Sequence, residues 1–135
     1  MLYLFIGLGL LVLILAICLV LYFMAYYNEK KGTTKDMEPL KGILYVPFTE
    51  KSKTLIAKSD SIPYEVKELK INKRFTLRAK YYFVKEDAPL AIMVHGYKGC
   101  GIRDFSGGLR ELINRGNNVL LIDHRGHGIS DGRSI

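Results

Sequence analysis

Histidine, serine and aspartate residues lie together in two glycine-rich stretches in the C-terminal third of the chain. The first stretch is His95-Gly96-Tyr97, and the second, from Asp123 to Gly132, reads DHRGHGISDG. A histidine can take the proton of a serine hydroxyl, and the serine can then attack a carbonyl carbon. Histidine and aspartate are also residue types that bind metal ions. These two stretches are therefore the candidate sites for chemistry.

Each stretch follows an apolar run that is short enough to be a buried strand. Leu90 to Val94 precedes the first stretch and Val119 to Ile122 precedes the second, with one helix-length segment between them. Strand, helix and strand form a βαβ unit with parallel strands. Ligands of open α/β sheets bind beyond the carboxyl ends of such strands, which is where both stretches lie. The predicted helix has one apolar face and a closing glycine, formed by Phe105, Leu109, Leu112, Ile113 and Gly116.

The letters from Gly128 to Gly132, GISDG, match the G-x-S-x-G pattern of a nucleophile elbow. An elbow places its serine on a sharp turn between a strand and a helix. Here a polar, glycine-rich loop precedes the serine, and only Arg133 to Ile135 follow the pattern. We therefore expect that Ser130 is not a nucleophile.

A metal-dependent hydrolase that uses Asp123, His124 and His127 is the alternative chemistry for the second stretch. Two histidines three positions apart on a loop, without further histidines, cysteines or paired carboxylates nearby, are a weak metal pattern. The two cysteines, Cys18 and Cys100, lie far apart in the chain and indicate neither a disulfide nor a zinc site. We expect no metal and no cofactor.

The segment APLAIMVHGYKGCGIRDFSGG, with NNVLLIDHRGHGISDGRSI after it, resembles the first half of an α/β-hydrolase. It is most similar to the membrane-anchored, aminopeptidase-like or esterase-like serine hydrolases of Gram-positive bacteria. The resemblance covers Pro63 to Ile135 and implies an α/β fold, of which this half holds a hairpin and the first βαβ unit. It also implies hydrolysis of an ester or amide by a Ser-Asp/Glu-His triad without a cofactor. In that strand order Leu90 to Val94 is left with an unpaired edge.

The resemblance assigns roles to residues of both stretches. The backbone N–H of Tyr97 would be an oxyanion-hole donor, and His95 and Gly96 would support its loop. The nucleophile, the acid and the catalytic histidine come later in such hydrolases, so we expect the 135-residue chain to be an inactive fragment without the triad. A non-catalytic, membrane-anchored binding module is the alternative. The residues that would scaffold the second stretch are Asp123, Arg125, Gly126 and Gly128.

The chain before the βαβ unit divides into an anchor, a linker and a hairpin. Tyr3 to Tyr27 is an uncharged apolar run, longer than the roughly 20 residues that a membrane-spanning helix needs. Residues 1–27 are predicted to be a transmembrane anchor, residues 28–62 a linker with a possible short helix, and residues 63–135 the hydrolase-like part.

Alternation of apolar and polar residues predicts a strand after a hairpin turn at Asn72-Lys73. The possible helix of the linker covers Thr49 to Ser61. The residues predicted to share the buried face of the strand are Phe75, Leu77, Ala79, Tyr81 and Phe83.

All twenty Lys and Arg residues follow residue 27, and the chain has a net charge of +7. These residues are scattered and form no nucleic-acid-binding motif, so we expect no nucleic acid partner. The expected partners are the lipid bilayer, through residues 3–27, and a small ester or peptide substrate of the intact protein. Basic residues follow the apolar run and none precedes it, which predicts a single-pass protein of the cell membrane with its soluble part in the cytoplasm.

Residues 3–27 are expected to stay uncleaved, because the run lacks the basic start and short apolar core of a signal peptide. After carbonate extraction of cells that express the chain, the protein should remain in the membrane fraction with its N-terminus at or near Met1. Release into the soluble fraction, or a mature N-terminus near Asn28, would contradict this prediction.

Overall fold

A mixed sheet with helices on one face forms the folded part of the protein. The computed structural model describes residues 1–26, 38–39, 41–96 and 99–132. The elements are helix α1 (Leu2–Tyr26), a 3₁₀ helix (Ile43–Phe48), α2 (Thr49–Asp60), β1 (Glu65–Ile71), β2 (Phe75–Tyr82), β3 (Leu90–Val94), α3 (Gly101–Asn114) and β4 (Asn118–Asp123). The predicted α/β class and the βαβ unit are confirmed.

Helix α1 is apolar on every side. It has 25 residues, its mean hydropathy is 3.3, and none of its side chains is buried against the rest of the described chain. At 1.5 Å per residue it is about 38 Å long, enough to cross a hydrocarbon core of about 30 Å. By length and composition α1 suits a membrane span, and a signal sequence near an N-terminus has the same features.

The four strands lie in the order β1-β2-β4-β3. β1 and β2 form an antiparallel hairpin, with Asn72 and Lys73 in the left-handed conformation (φ 50° and 55°), so the predicted hairpin turn is present. β4 pairs antiparallel with β2 and parallel with β3. Because β3 and β4 run in the same direction, their carboxyl ends lie side by side, and the two glycine-rich stretches meet there.

Helix α3 covers β3 and β4, and α2 packs on α3. The helix ends as the sequence predicts, at a glycine with a positive φ: Gly116 (φ 82°) donates its N–H to the carbonyl of Ile113 at 2.9 Å, and Asn117 donates to Leu112 at 3.0 Å. This pair of bonds is a Schellman motif, which satisfies the last carbonyls of the helix. The buried core that the helices and sheet share consists of Ile56, Tyr82, Ile102, Leu109, Val119 and Leu121.

Helix α2, which lies within the stretch predicted to be a linker, contributes to this core. Its Ile56 is a core residue, and its buried Ser59 donates a hydrogen bond of 2.7 Å to the carbonyl of Ser106 in α3. At its end, Asp60 forms an ion pair with the nearly buried Lys80 of β2 at 3.2 Å. α2 is thus joined to both the helix layer and the sheet.

The face of β2 that enters the core differs in part from the predicted one. Ala79, on the predicted face, is buried, but the large core side chain is Tyr82, which is only 1% exposed, whereas Phe83 is 57% exposed. The physical reason is pairing: Tyr82 lies opposite Val119 of β4, and both side chains therefore point to the face that the helices cover. Alternation alone shows that two faces differ, not which face the helices will cover.

The opposite face of β3 is apolar, and its side chains are about half exposed in the described part of the chain. Leu90, Ile92 and Val94 are 47–59% exposed, while Ala91 and Met93 alternate with them and pack against the core. In the described chain β3 pairs only with β4, so its other edge is unpaired, as the resemblance implies. An apolar strand with such an edge favours association with another strand.

Replacing Tyr82 with phenylalanine is expected to leave the free energy of unfolding unchanged or to raise it by up to about 1 kcal/mol. The Tyr82 hydroxyl is buried and has no hydrogen-bond partner among the described residues, so its removal costs nothing, and the ring contacts remain. Tyr82→Ala, the matched contrast, should lose about 3–5 kcal/mol. Denaturant melts of the full chain in detergent micelles measure both effects. A loss above 1 kcal/mol in Tyr82→Phe would show that the hydroxyl has a partner.

Burial also raises the pKa of Tyr82 above its ordinary value of 10.0. Above that pH the unfolded chain gives up this proton more readily than the folded chain, so stability falls as the pH rises. The same melts at alkaline pH should therefore show a smaller loss in Tyr82→Phe than in the parent chain.

Candidate functional site

The exit loop, residues 124–132, folds back onto β2 beyond the end of β4. The last pairing of β2 with β4 joins Arg78 to Asp123. Thr76 lies two residues before Arg78 in β2, beyond the end of β4. It donates its N–H to the carboxylate of Asp131 at 2.9 Å, and its carbonyl accepts the Asp131 N–H at 2.9 Å. Asp131 thus takes the place of a strand residue, and the β2 edge stays paired after β4 has ended.

Ser130 joins the two strands at this point. Its hydroxyl accepts the N–H of Arg78 at 2.7 Å and donates its one proton to the carbonyl of Asp123 at 2.6 Å. The side chain is completely buried. A nucleophilic hydroxyl has to reach the substrate and give its proton to a base. The Ser130 hydroxyl is enclosed and already bonded to the backbone, so it serves as a structural bridge.

The Arg78 side chain reinforces the same junction, and the sequence reasoning did not identify it. Its guanidinium donates to Glu68 at 2.7 Å, to Asp131 at 2.9 Å and to the carbonyl of Ile129 at 3.0 Å. The hydrogen bonds to Glu68 and then Asp131 are the main causes of a raised pKa of Arg78. No sequence signal pointed to this residue, because its partners in the loop lie more than fifty positions away.

The residues predicted to scaffold the second stretch lie in the exit loop or at its start. The buried Asp123 carboxylate accepts the N–H of Ile129 at 3.1 Å. A side chain at Gly128 would overlap that carboxylate, and Gly128 also has a left-handed φ of 45°, so only glycine fits. Gly126 (φ 76°) donates its N–H to the Asp131 carbonyl at 2.9 Å. Arg125 lies over the ring of Phe75, 5.0 Å from its centre, which joins the loop to the hairpin.

All three histidines of the chain meet between the two stretches. The ring centres of His95 and His124 are 4.7 Å apart, and those of His95 and His127 are 4.8 Å apart. This histidine cluster joins the end of β3 to the start of the exit loop. The sequence predicts that these two stretches follow neighbouring strands, but it does not predict contact between the histidine side chains.

The hydrogen bonds of His95 determine its tautomer. Its Nε2 lies 3.2 Å from the backbone N–H of His124, which can only donate. Its Nδ1 lies 2.9 Å from the carbonyl of Gly96, which can only accept. Nε2 is therefore the acceptor, Nδ1 carries the proton, and the ring is neutral. His124 returns a bond, because its Nε2 lies 3.1 Å from the His95 carbonyl and must donate to it.

His127 is nearly buried and is also bonded to the backbone. Its Nδ1 lies 3.0 Å from the carbonyl of Arg125, so this nitrogen donates. Burial is the main cause of a lowered pKa of His127, which favours the neutral ring. In the described ranges no group of three or more histidine, cysteine, aspartate or glutamate side chains is arranged to hold a metal ion. The geometry of Asp123, His124 and His127 instead serves the loop.

Gly96 is exposed at the carboxyl end of β3. No described atom lies within 4 Å of where a Cβ would be, and its carbonyl accepts the N–H of Gly99 at 3.0 Å in a tight turn. Helix α3 follows this turn directly, with the N–H of Cys100 bonded to the Asp104 carboxylate at 3.2 Å. Tyr97, the predicted oxyanion donor, lies outside the described residues.

No protein-family model and no curated protein sequence matches the chain. Among solved structures, that of DcsB in complex with its substrate analogue matches 52% of this chain and 24% of its own, with 26% sequence identity and a TM-score of 0.46. The Pyrococcus furiosus esterase Pf2001 matches in two crystal forms, with 27% and 28% identity over 57% and 56% of this chain and TM-scores of 0.44 and 0.43. The chain spans 24–30% of the length of these proteins. At such TM-scores, function has to be argued from the residues of this chain.

Replacing Ser130 with alanine is expected to destabilise the fold by about 1–3 kcal/mol, because the buried N–H of Arg78 and the carbonyl of Asp123 lose their partner. Ser61→Ala is the matched control, since the Ser61 hydroxyl bonds to one carbonyl on the exposed surface and should change stability by less than about 0.5 kcal/mol. Denaturant melts measure the difference. Incubating the parent chain with a fluorophosphonate probe should leave Ser130 unmodified, and a stable adduct on it would contradict the bridging role.

Proposed function

We propose that this chain forms the N-terminal, substrate-facing part of a membrane-anchored serine hydrolase of the α/β-hydrolase type. The bond it acts on is an ester or an amide. The observation that carries the proposal is the exposed Gly96 turn, which His95 and His124 hold at the carboxyl ends of two parallel strands.

The position of the turn suits acyl transfer. The oxyanion that develops during attack on a carbonyl carbon needs hydrogen-bond donors whose positions are fixed before the reaction. The two hydrogen bonds between His95 and His124 hold the backbone on either side of the gap between β3 and β4. Gly96 leaves open space beside this backbone, where a substrate carbonyl has room. The donor itself is proposed to be the N–H of Tyr97, as the resemblance implies.

The hydrogen bonds of the His95 ring support the same role. The His95 ring uses one nitrogen as acceptor and the other as donor, which leaves no site for a second proton without breaking a bond. The cluster therefore positions the turn and is not the general base of the reaction.

The nucleophile is proposed to come from sequence outside the described residues, together with the acid and the catalytic histidine. Ser130, the serine of the G-x-S-x-G letters, is enclosed between two strands. In the proposed reaction a serine oxygen forms a bond to the carbonyl carbon while a base takes its proton. The alcohol or amine then leaves, and water releases the acid from the acyl-enzyme.

The membrane anchor of the proposed hydrolase is α1. Its length and composition support a single span, and the basic residues that follow it favour a cytoplasmic location of the sheet and helices. The lipid bilayer is thus one proposed partner, and a small ester or peptide substrate is the other.

In the complete hydrolase that we propose, Gly96→Ala is expected to lower kcat/KM by about 10–100-fold. The added methyl group enters the space of the substrate carbonyl. The melting temperature should not change, since no described atom lies within 4 Å of the new methyl group. Hydrolysis of p-nitrophenyl esters measures the activity, and labelling by a fluorophosphonate reports the nucleophile.

Gly107→Ala is the matched control, because Gly107 is exposed in α3 and its Cβ would also meet nothing. This variant should keep full activity and gain up to about 1 kcal/mol of helix stability. Full activity in Gly96→Ala would remove the turn from the substrate site. A natural protein that neither hydrolyses esters nor reacts with the fluorophosphonate would favour a non-catalytic binding module.

A further inference from the structure

The 3₁₀ helix at residues 43–48, ILYVPF, exposes almost every side chain it has. All six residues are apolar or aromatic, and the five large ones, Ile43, Leu44, Tyr45, Val46 and Phe48, are 46–88% exposed. A contiguous apolar patch of this kind on the surface of a folded domain marks a contact with another apolar phase or molecule.

The apolar segment is joined to the folded part of the chain at its C-terminal end. The carbonyl of Tyr45 accepts a hydrogen bond from the Thr49 hydroxyl at 3.1 Å, and the segment runs directly into α2. Tyr45 also lines a small cleft of about 200 Å³ with Ile56 of α2 and Arg103 of α3. The segment is therefore attached to α2, while its five large side chains stay exposed.

We propose that the apolar segment 43–48 inserts into the interface of the lipid bilayer that α1 crosses. This inference rests on α1 being the membrane anchor of the proposed hydrolase. Residues 27–42 separate the two elements, and even fully extended they reach no further than about 60 Å. The segment therefore stays within about 60 Å of the end of α1, and the anchor raises its effective concentration at the bilayer surface.

The composition of the segment suits the depth of the headgroups. Tyr45 is of the residue type that is enriched at membrane interfaces, and Phe48 is of a type that buries in the headgroup and acyl boundary on the apolar face of interfacial helices. The segment has six residues, far fewer than the roughly 20 that a second span needs.

Charge contributes less than apolar insertion. Two of the basic residues that flank the segment are already paired, since Lys41 lies 2.9 Å from Glu38 and Lys53 lies 2.8 Å from Glu50. Their attraction for anionic headgroups is correspondingly reduced. The segment should therefore bind zwitterionic and anionic bilayers alike, and high salt should not release it.

A second membrane contact would fix how the site faces the bilayer. The segment leads into α2, and α2 is joined to α3 through the hydrogen bond from Ser59 to Ser106. Helix α3 packs on β3 and β4, whose carboxyl ends carry the candidate site. Packed elements thus connect the segment to the candidate site, which a flexible tether alone would not provide.

The test uses the full chain with Cys18→Ala and Cys100→Ala in lipid nanodiscs of phosphatidylcholine. Single cysteines are introduced as Leu44→Cys in the segment, Leu13→Cys in α1 and Leu69→Cys on the exposed face of β1, and each is labelled with the fluorophore NBD. Nitroxide-bearing lipid and aqueous iodide are the two quenchers. The probe at position 44 should be quenched several-fold more by the lipid nitroxide than by iodide, as at position 13, and the probe at position 69 should show the reverse.

The outcomes separate the inference from the anchor on which it rests. Lipid quenching at position 13 without lipid quenching at position 44 would overturn the inference and leave the anchor in place. Absence of lipid quenching at both positions would remove the anchor and the inference together. Shielding from both quenchers at position 44 would point to a second copy or a protein partner, and loss of lipid quenching in 0.5 M salt would point to electrostatic binding; either result overturns apolar insertion.

Discussion

The carboxyl edge of the sheet depends on one buried hydroxyl. Ser130 connects the N–H of Arg78 on β2 with the carbonyl of Asp123 on β4, at the point where the pairing of these strands stops. Without it, the N–H of Arg78 and the carbonyl of Asp123 would lose this partner, and the loop that carries His124 and His127 would lose one of its attachments to the sheet. The side chain of Arg78 and the backbone of Asp131 continue the same attachment beyond the serine. The exit loop is therefore an extension of the sheet.

The candidate site follows from this rigid loop. Because the start of the exit loop is fixed, the backbone N–H of His124 has a defined position, and it determines the tautomer of His95. The neutral His95 ring in turn bonds to the Gly96 carbonyl and holds the exposed turn after β3. Hydrogen bonds thus connect the interior of the sheet to the point where we propose that the substrate lies, which is the kind of preorganisation that oxyanion binding requires.

Burial in this protein is one-sided. Tyr82, Val119, Leu121 and the helices form a closed core on one face of the sheet, while the alternate residues of β3 and the apolar segment at residues 43–48 remain exposed. Apolar surface of this extent is unfavourable in water. A bilayer beside the segment, and further chain beside β3, are the two environments that would remove it from water.

The local elements can be predicted from the sequence: an apolar run long enough for α1, two short apolar runs for β3 and β4, an asparagine for the hairpin turn and a glycine for the end of α3. Each depends on residues only a few positions apart, so each can be recognised from the sequence alone. Three features depend on the tertiary structure: Tyr82 enters the core, Arg78 holds the exit loop, and Ser130 is a bridge although its letters match a nucleophile. Their partners lie far along the chain, Val119 for Tyr82 and residues 52 and 51 positions away for Ser130 and Arg78. Such pairings are set by which faces the helices cover and where strands stop.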